Sequence, residues 1–143
     1  MALNGCAMVG KLLGIEPTSP LRHVKVVAEL DANSLTATAI DLVFVYDDTA
    51  LAVLPKTGPE WFANKDALMA GLALSVDVVR LQIPRGKTVD EAPLPRRHRK
   101  AVAVYSYANY ITPGGQPQGK LTPYKCAQIT LGASAISYQS CAS

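Results

Sequence analysis

The feature that most constrains this chain is a period of two. In six short runs apolar and polar side chains alternate, and Gly, Pro, Asn, Asp or Ser interrupts the chain between them. Successive side chains of an extended strand point to opposite faces, so each run describes a strand with one buried and one wetter side. HVKVVAEL at 23–30 sets Val24, Val26, Ala28 and Leu30 on one face. TATAIDLVFVY at 36–46 is rich in β-branched and aromatic residues, and the intervening Asp31-Ala32-Asn33-Ser34 has turn chemistry, so a hairpin from Val24 to Tyr46 is expected. SVDVVRLQIP at 75–84 has its inward face at Val79, Leu81 and Ile83. KAVAVYSYANY at 100–110, PYKCAQITL and AISYQSC complete the six, and ALAVL at 50–54 reads as a short edge segment.

One helix interrupts the series. Thr57-Gly-Pro-Glu60 matches a capping box, in which the Thr57 hydroxyl accepts from the Glu60 N–H and the Glu60 carboxylate reaches back to the Thr57 N–H. Trp61, Phe62, Leu68, Met69 and Leu72 then fall on one stripe, with Lys65 and Asp66 outward and Gly71 near the end. Many strands, one convincing helix and no repeated β-then-α order predict an all-β fold, an antiparallel β-sandwich with one inserted helix. At 143 residues, 49% hydrophobic and 17% charged, the chain has enough apolar surface for one core. Residues 1–20 read as leader and tether, and residues 21–143 as the sandwich domain.

The same composition excludes several function classes. There are two histidines and three cysteines, with no CxxC, HExxH, P-loop or GxGxxG motif, so neither a metal site nor a cofactor is expected. His23 and His98 read as ordinary solvated or edge histidines. Asp47 and Asp48 are neighbours on a strand and would point apart, so no catalytic residue is assigned and the chain is not expected to be an enzyme. The net charge of 14 − 11 = +3 is mild; Lys87–Arg99 reads as an exposed connector, and its basic run Arg96–Lys100, with no interleaved aromatic, reads as a solvated loop or a contact for an anionic membrane or partner, so nucleic acid is not an expected partner. A periplasmic ligand- or peptide-binding module remains an alternative, with Tyr105, Tyr107, Tyr110 and Tyr124 as its aromatic face. Trp61 and Phe62 read as core.

Cysteine spacing adds a compartment. Cys126 and Cys141, 15 positions apart at the ends of two consecutive strands, can face each other across a hairpin, and a bridge would imply an oxidising environment. Two free thiols are the alternative. Cys6 is left over, in Leu3-Asn4-Gly5-Cys6, which resembles a bacterial lipobox with Cys6 as the lipidated residue. Lipid on Cys6 would anchor a domain that has no run of roughly 18 apolar residues to span a bilayer.

Taken in order, Asp31-Ala32-Asn33-Ser34, IDLVFVYD, EWFANKDAL, VVRLQIPRG and AVAVYSYANY resemble, over residues 21–131, the TssJ family of outer-membrane lipoproteins of type VI secretion systems. The resemblance implies a transthyretin-like sandwich, lipid-anchored at the periplasmic face of the outer membrane. It implies a structural role, binding the periplasmic C-terminal domain of the large, TssM-like inner-membrane component. By position, the partner-binding loop would be Asp31, Ala32, Asn33, Ser34 and Leu35. This loop is shorter than is usual in the family, and the Cys126/Cys141 pair is not one of its hallmarks.

Overall fold

The structure, a computed structural model, describes residues 17–141. Eight strands form two four-stranded sheets packed face to face. Sheet 1 has the order β4-β1-β7-β8, with β1 His23–Ala28, β4 Thr88–Val89, β7 Cys126–Leu131 and β8 Ile136–Ser140. Sheet 2 has the order β3-β2-β5-β6, with β2 Thr38–Val45, β3 Val76–Ile83, β5 Ala103–Asn109 and β6 Gly119–Lys120. All six alternating runs are strands. The pairings are antiparallel except β1 with β7, which run parallel from His23 opposite Cys126 to Ala28 opposite Leu131.

The alternation sorts side chains as expected. Val24, Val26 and Ala28 of β1 and Ala127, Ile129 and Leu131 of β7 meet Ile40, Leu42 and Phe44 of β2 and Val104 and Ala108 of β5 across the sandwich. Val79, Leu81 and Ile83 of β3 face the same core. The other face of β2 is buried too: Val43 and Val45 join Val76, Ala103, Trp61 and Tyr107 in a second cluster under a helix.

That helix spans Gly58–Leu72, and a shorter one before it, α1, spans Asp48–Leu51. The long one, α2, starts where its capping residues place it, with the Glu60 N–H donating to Thr57 Oγ1 at 3.3 Å. The reciprocal bond differs: the Glu60 carboxylate accepts from the Thr57 hydroxyl, not from its N–H. Gly58 lets α2 touch the sheet, because a Cβ there would lie 2.3 Å from the Ala108 carbonyl oxygen.

Three expectations are corrected. Strands β1 and β2 do not form a hairpin; they lie in different sheets. The strand β1 already has β4 on one side and β7 on the other, so the chain crosses the sandwich and pairs β2 with β3 and β5. The segment 50–54 is not an edge strand: the Asp47 carboxylate accepts from the Ala50 N–H at 3.0 Å and caps α1. Lys65 does not point to solvent; its ammonium bonds the buried Asp41 carboxylate at 3.1 Å.

Candidate functional site

The crossing from β1 to β2 makes one tip of the sandwich. Strand β1 stops at Ala28, and the chain turns with the Ala32 N–H donating to the Glu29 carbonyl. Asn33, Ser34 and Leu35 follow with φ of 48°, 52° and 70°. This left-handed region crowds the Cβ of an L-residue, at roughly 1–2 kcal/mol each, so the surroundings must hold the three in place.

Asn33 supplies much of that hold. Its side-chain amide donates to the carbonyls of Asn109 at 3.2 Å and Ala37 at 3.4 Å, and its Oδ1 accepts from the Ile111 N–H at 2.9 Å. Its backbone carbonyl accepts from the Thr36 hydroxyl at 2.6 Å. Further bonds from the Asn33 and Ser34 N–H groups reach the carbonyls of Gly132 and Ala133 in the β7–β8 turn. Tyr110 ties the same turn to β5 through its hydroxyl, 2.8 Å from the Gly132 carbonyl. Burial first, and then nearby negative charge, push its pKa up to about 12.

The five loop residues assigned from the resemblance therefore divide. Ala32 and Asn33 are buried, and Asn33 works inside the fold. Asp31, Ser34 and Leu35 are on the surface. Leu35 is 63% exposed, and Leu30 at 75% and Ile111 at 61% are also large apolar side chains open to solvent. The alternating pattern placed Leu30 in the core; because β1 ends two residues earlier, it projects outward instead. Ile111 was missed, although an isoleucine followed by Thr112-Pro113 beyond the end of a strand signals an apolar side chain outside the sheet. Arg85 reaches this tip through a bond to the Leu30 carbonyl at 3.1 Å.

Elsewhere the polar groups serve the fold. Tyr107 and Tyr110 are buried, and Tyr105 and Tyr124 pack against different clusters, so the four rings form no ligand-binding face. Trp61 is fully buried, stacked on Tyr107 with centroids 4.8 Å apart. Arg97, expected in a solvated run, bonds Asp77 at 3.1 Å and lies over the Tyr46 ring, whose hydroxyl donates to the same carboxylate at 2.8 Å. His23 is exposed beside Glu91, and the His98 ring is 2.9 Å from the Pro95 carbonyl. Among the described residues no three His, Cys, Asp or Glu side chains group to hold a metal, and no helix is long and apolar enough to cross a membrane. Cys126 and Cys141 are joined by a disulfide at 2.01 Å, opposite each other where the β7–β8 register ends. Cys6 lies outside the described residues.

Comparison with known proteins gives the fold a precedent. No protein-family model and no curated protein sequence matches the chain. Solved structures do. The type VI secretion lipoprotein TssJ1 of Pseudomonas aeruginosa superposes with a TM-score of 0.64 at 16% identity, covering 84% of this chain and 95% of that one. Serratia marcescens Lip, a membrane-bound component of the type VI secretion system, gives 0.59 at 12% identity, over 89% of this chain and 100% of its own. A chain of a type VI membrane complex gives 0.57 at 13%, over 82% and 95%. The two-sheet sandwich with α2 packed on one outer face is a TssJ-like fold.

Proposed function

We propose that this chain is a structural component of a type VI secretion membrane complex. In this reading lipid on Cys6 anchors it at the periplasmic face of the outer membrane, and its β1–β2 tip binds the periplasmic C-terminal domain of a TssM-like inner-membrane component. The observation that carries the binding role is the tip itself. Three large apolar side chains, Leu30, Leu35 and Ile111, stand exposed around a loop whose left-handed backbone is pinned by Asn33. A rigid loop presenting apolar anchors loses little freedom on docking, which is what a protein-binding surface needs. The likeness to type VI lipoproteins supports the choice of complex, and the Cys126–Cys141 bridge supports an oxidising compartment such as the periplasm.

The test separates contact from support. With the periplasmic domain of the inner-membrane component from the same cell as the binding partner, Leu35→Asp and Ile111→Asp each reduce affinity about tenfold or more at unchanged melting temperature. Asn33→Ala lowers affinity and stability together. Unchanged affinity in both aspartate variants overturns the assignment of the tip. For the anchor, mass spectrometry of the envelope fraction shows acyl chains on Cys6, and Cys6→Ser releases the protein into the soluble periplasm; an unacylated thiol in membrane-bound protein overturns it.

A further inference from the structure

Sheet 2 ends in a long open edge, and its unpaired groups follow from the register. The Tyr46 N–H donates to the Ser75 carbonyl, which makes that pair hydrogen-bonded, and in an antiparallel ladder such pairs alternate. Asp77, Val79, Leu81 and Ile83 therefore bond β2, through Phe44, Leu42, Ile40 and Thr38. Val76, Val78, Arg80 and Gln82 turn their N–H and C=O groups the other way, where sheet 2 has no further strand among the described residues. The same alternation accounts for β5, whose Val104 carbonyl accepts from Leu121 on the side away from β2.

The remaining edges are treated differently. Strands β4 and β6 are two residues long, and β8 is clamped at its end by the disulfide. Short or blocked edges are the usual protection against unwanted pairing, and the eight-residue β3 has neither. Alongside its first half runs Pro93-Leu94-Pro95-Arg96-Arg97, leaving an open groove of about 530 Å³ lined by this segment and by Asp77, Val78 and Val79. Pro93 and Pro95 have no N–H to give, so this segment cannot complete the sheet itself.

Charge decides the occupant. Arg97 is neutralised by Asp77, whereas Arg80, Arg96, Arg99 and Lys100 make no ion pair with any carboxylate among the described residues. A second copy of this chain paired edge to edge would set these cations against each other. We propose that the β3 edge with its groove is a second docking surface, which takes an extended, acidic segment of another protein as an added strand. Val76 is itself buried, so main-chain bonds to Val78, Arg80 and Gln82 supply the affinity, and carboxylates facing Arg80 and Arg96 supply the selectivity. The β1–β2 tip lies near Ile83 at one end of β3, whereas the groove flanks Asp77–Val79 towards the other end, so the groove is separate from the tip.

Amide hydrogen exchange by NMR on the 143-residue chain tests the geometry and the occupant together. The probes are an alternating Val–Glu peptide, a Val–Lys peptide of the same length and a Val–Glu peptide N-methylated at alternate residues. In the free protein the amides of Val78, Arg80 and Gln82 exchange fast while those of Val79 and Leu81 are protected; the Val–Glu peptide then slows the first set. The Val–Lys and N-methylated peptides bind at least about tenfold more weakly, and so does Val–Glu to the Arg96→Glu variant. An edge-strand proline is tolerated where the N–H faces solvent, so Val78→Pro folds and loses binding. No binding of Val–Glu at millimolar peptide, equal binding of Val–Lys, or unchanged exchange at the three amides overturns the proposal. Protection of those amides by raising the concentration of the protein alone also overturns it, by making a second copy the occupant.

Discussion

The two sheets solve the same problem differently. Sheet 1 buries one face: β1 and β7 alternate strictly between buried and half-exposed side chains, and the outer face is left to groups such as Lys25, Gln128 and Thr130. Sheet 2 buries both along its central strand β2. Seven of the eight residues of β2 are buried, with Asp41 among them. Under α2 this carboxylate accepts from the Trp61 indole N–H at 2.9 Å and from the Lys65 ammonium at 3.1 Å. A half-buried sheet needs only apolar matching, whereas a sheet covered on both faces has to seat its cover, and here a polar latch does it. Direction is what the latch adds, since hydrophobic burial alone has none.

Breaking the latch is the strongest way to test this contrast. Asp41→Ala strands the indole N–H and the ammonium and costs about 3–5 kcal/mol in urea unfolding. Asp41→Leu with Lys65→Met leaves only the indole N–H unsatisfied, about 1–3 kcal/mol. If the single variant is no worse than the double, packing alone holds α2 and the contrast fails.

The bridge at the edge of sheet 1 comes next. Cys126 and Cys141 are 15 positions apart, and Cys126→Ser costs about 3 kcal/mol on the loop-entropy model. The loss also appears on adding reductant to the native protein, and a reductant-insensitive melting temperature contradicts it.

Alkali reads the cover on sheet 2 directly. Burial is the main cause that pushes Tyr107 up to about 12, as it does Tyr110. A phenol whose folded pKa exceeds its unfolded value near 10 adds stability at lower pH. That stability fades as pH rises from about 10 to 12, because the unfolded chain ionises first. Burial raises Tyr46 and Tyr138 as well, so ultraviolet titration shows four of the six tyrosines ionising late, and stability falling across that window. Asp41→Ala loosens α2 and shifts Tyr107 down while leaving Tyr110 in place.

The smallest effect is at Thr38, whose buried hydroxyl has no hydrogen-bond partner among the described residues. Thr38→Val removes that polar group at nearly constant volume, and thermal unfolding should show a change within about 1 kcal/mol, toward stabilisation.

Much of sheet 1 was legible in the sequence because a strand with one wet face writes its orientation as alternation. In β2 the alternation gives way to the unbroken apolar stretch Leu42–Val45, and nothing local says that Asp41 beside it will be buried or that Lys65, a helix residue 24 positions on, will meet it. At the tip, Asn33 looked like a surface turn residue. Its true role rests on Asn109 and Ile111, which are 76 and 78 positions away, beyond any local pattern. Leu30 failed for a simpler reason: alternation tells which face a residue would take but not where the strand stops.

By itself the sequence determined the six main strands, the start of α2 and the sides that Val24, Leu81 and Phe62 would take, since backbone pleat, capping and helical period act over a few residues. Only the tertiary structure decided that β1 and β2 part into different sheets, that β1 lies parallel to β7, and that Leu30, Leu35 and Ile111 converge at one tip. Those outcomes depend on which distant edge supplies hydrogen-bond partners to a strand, and an open edge accepts many sequences; the choice is settled only when all the apolar faces must be covered at once.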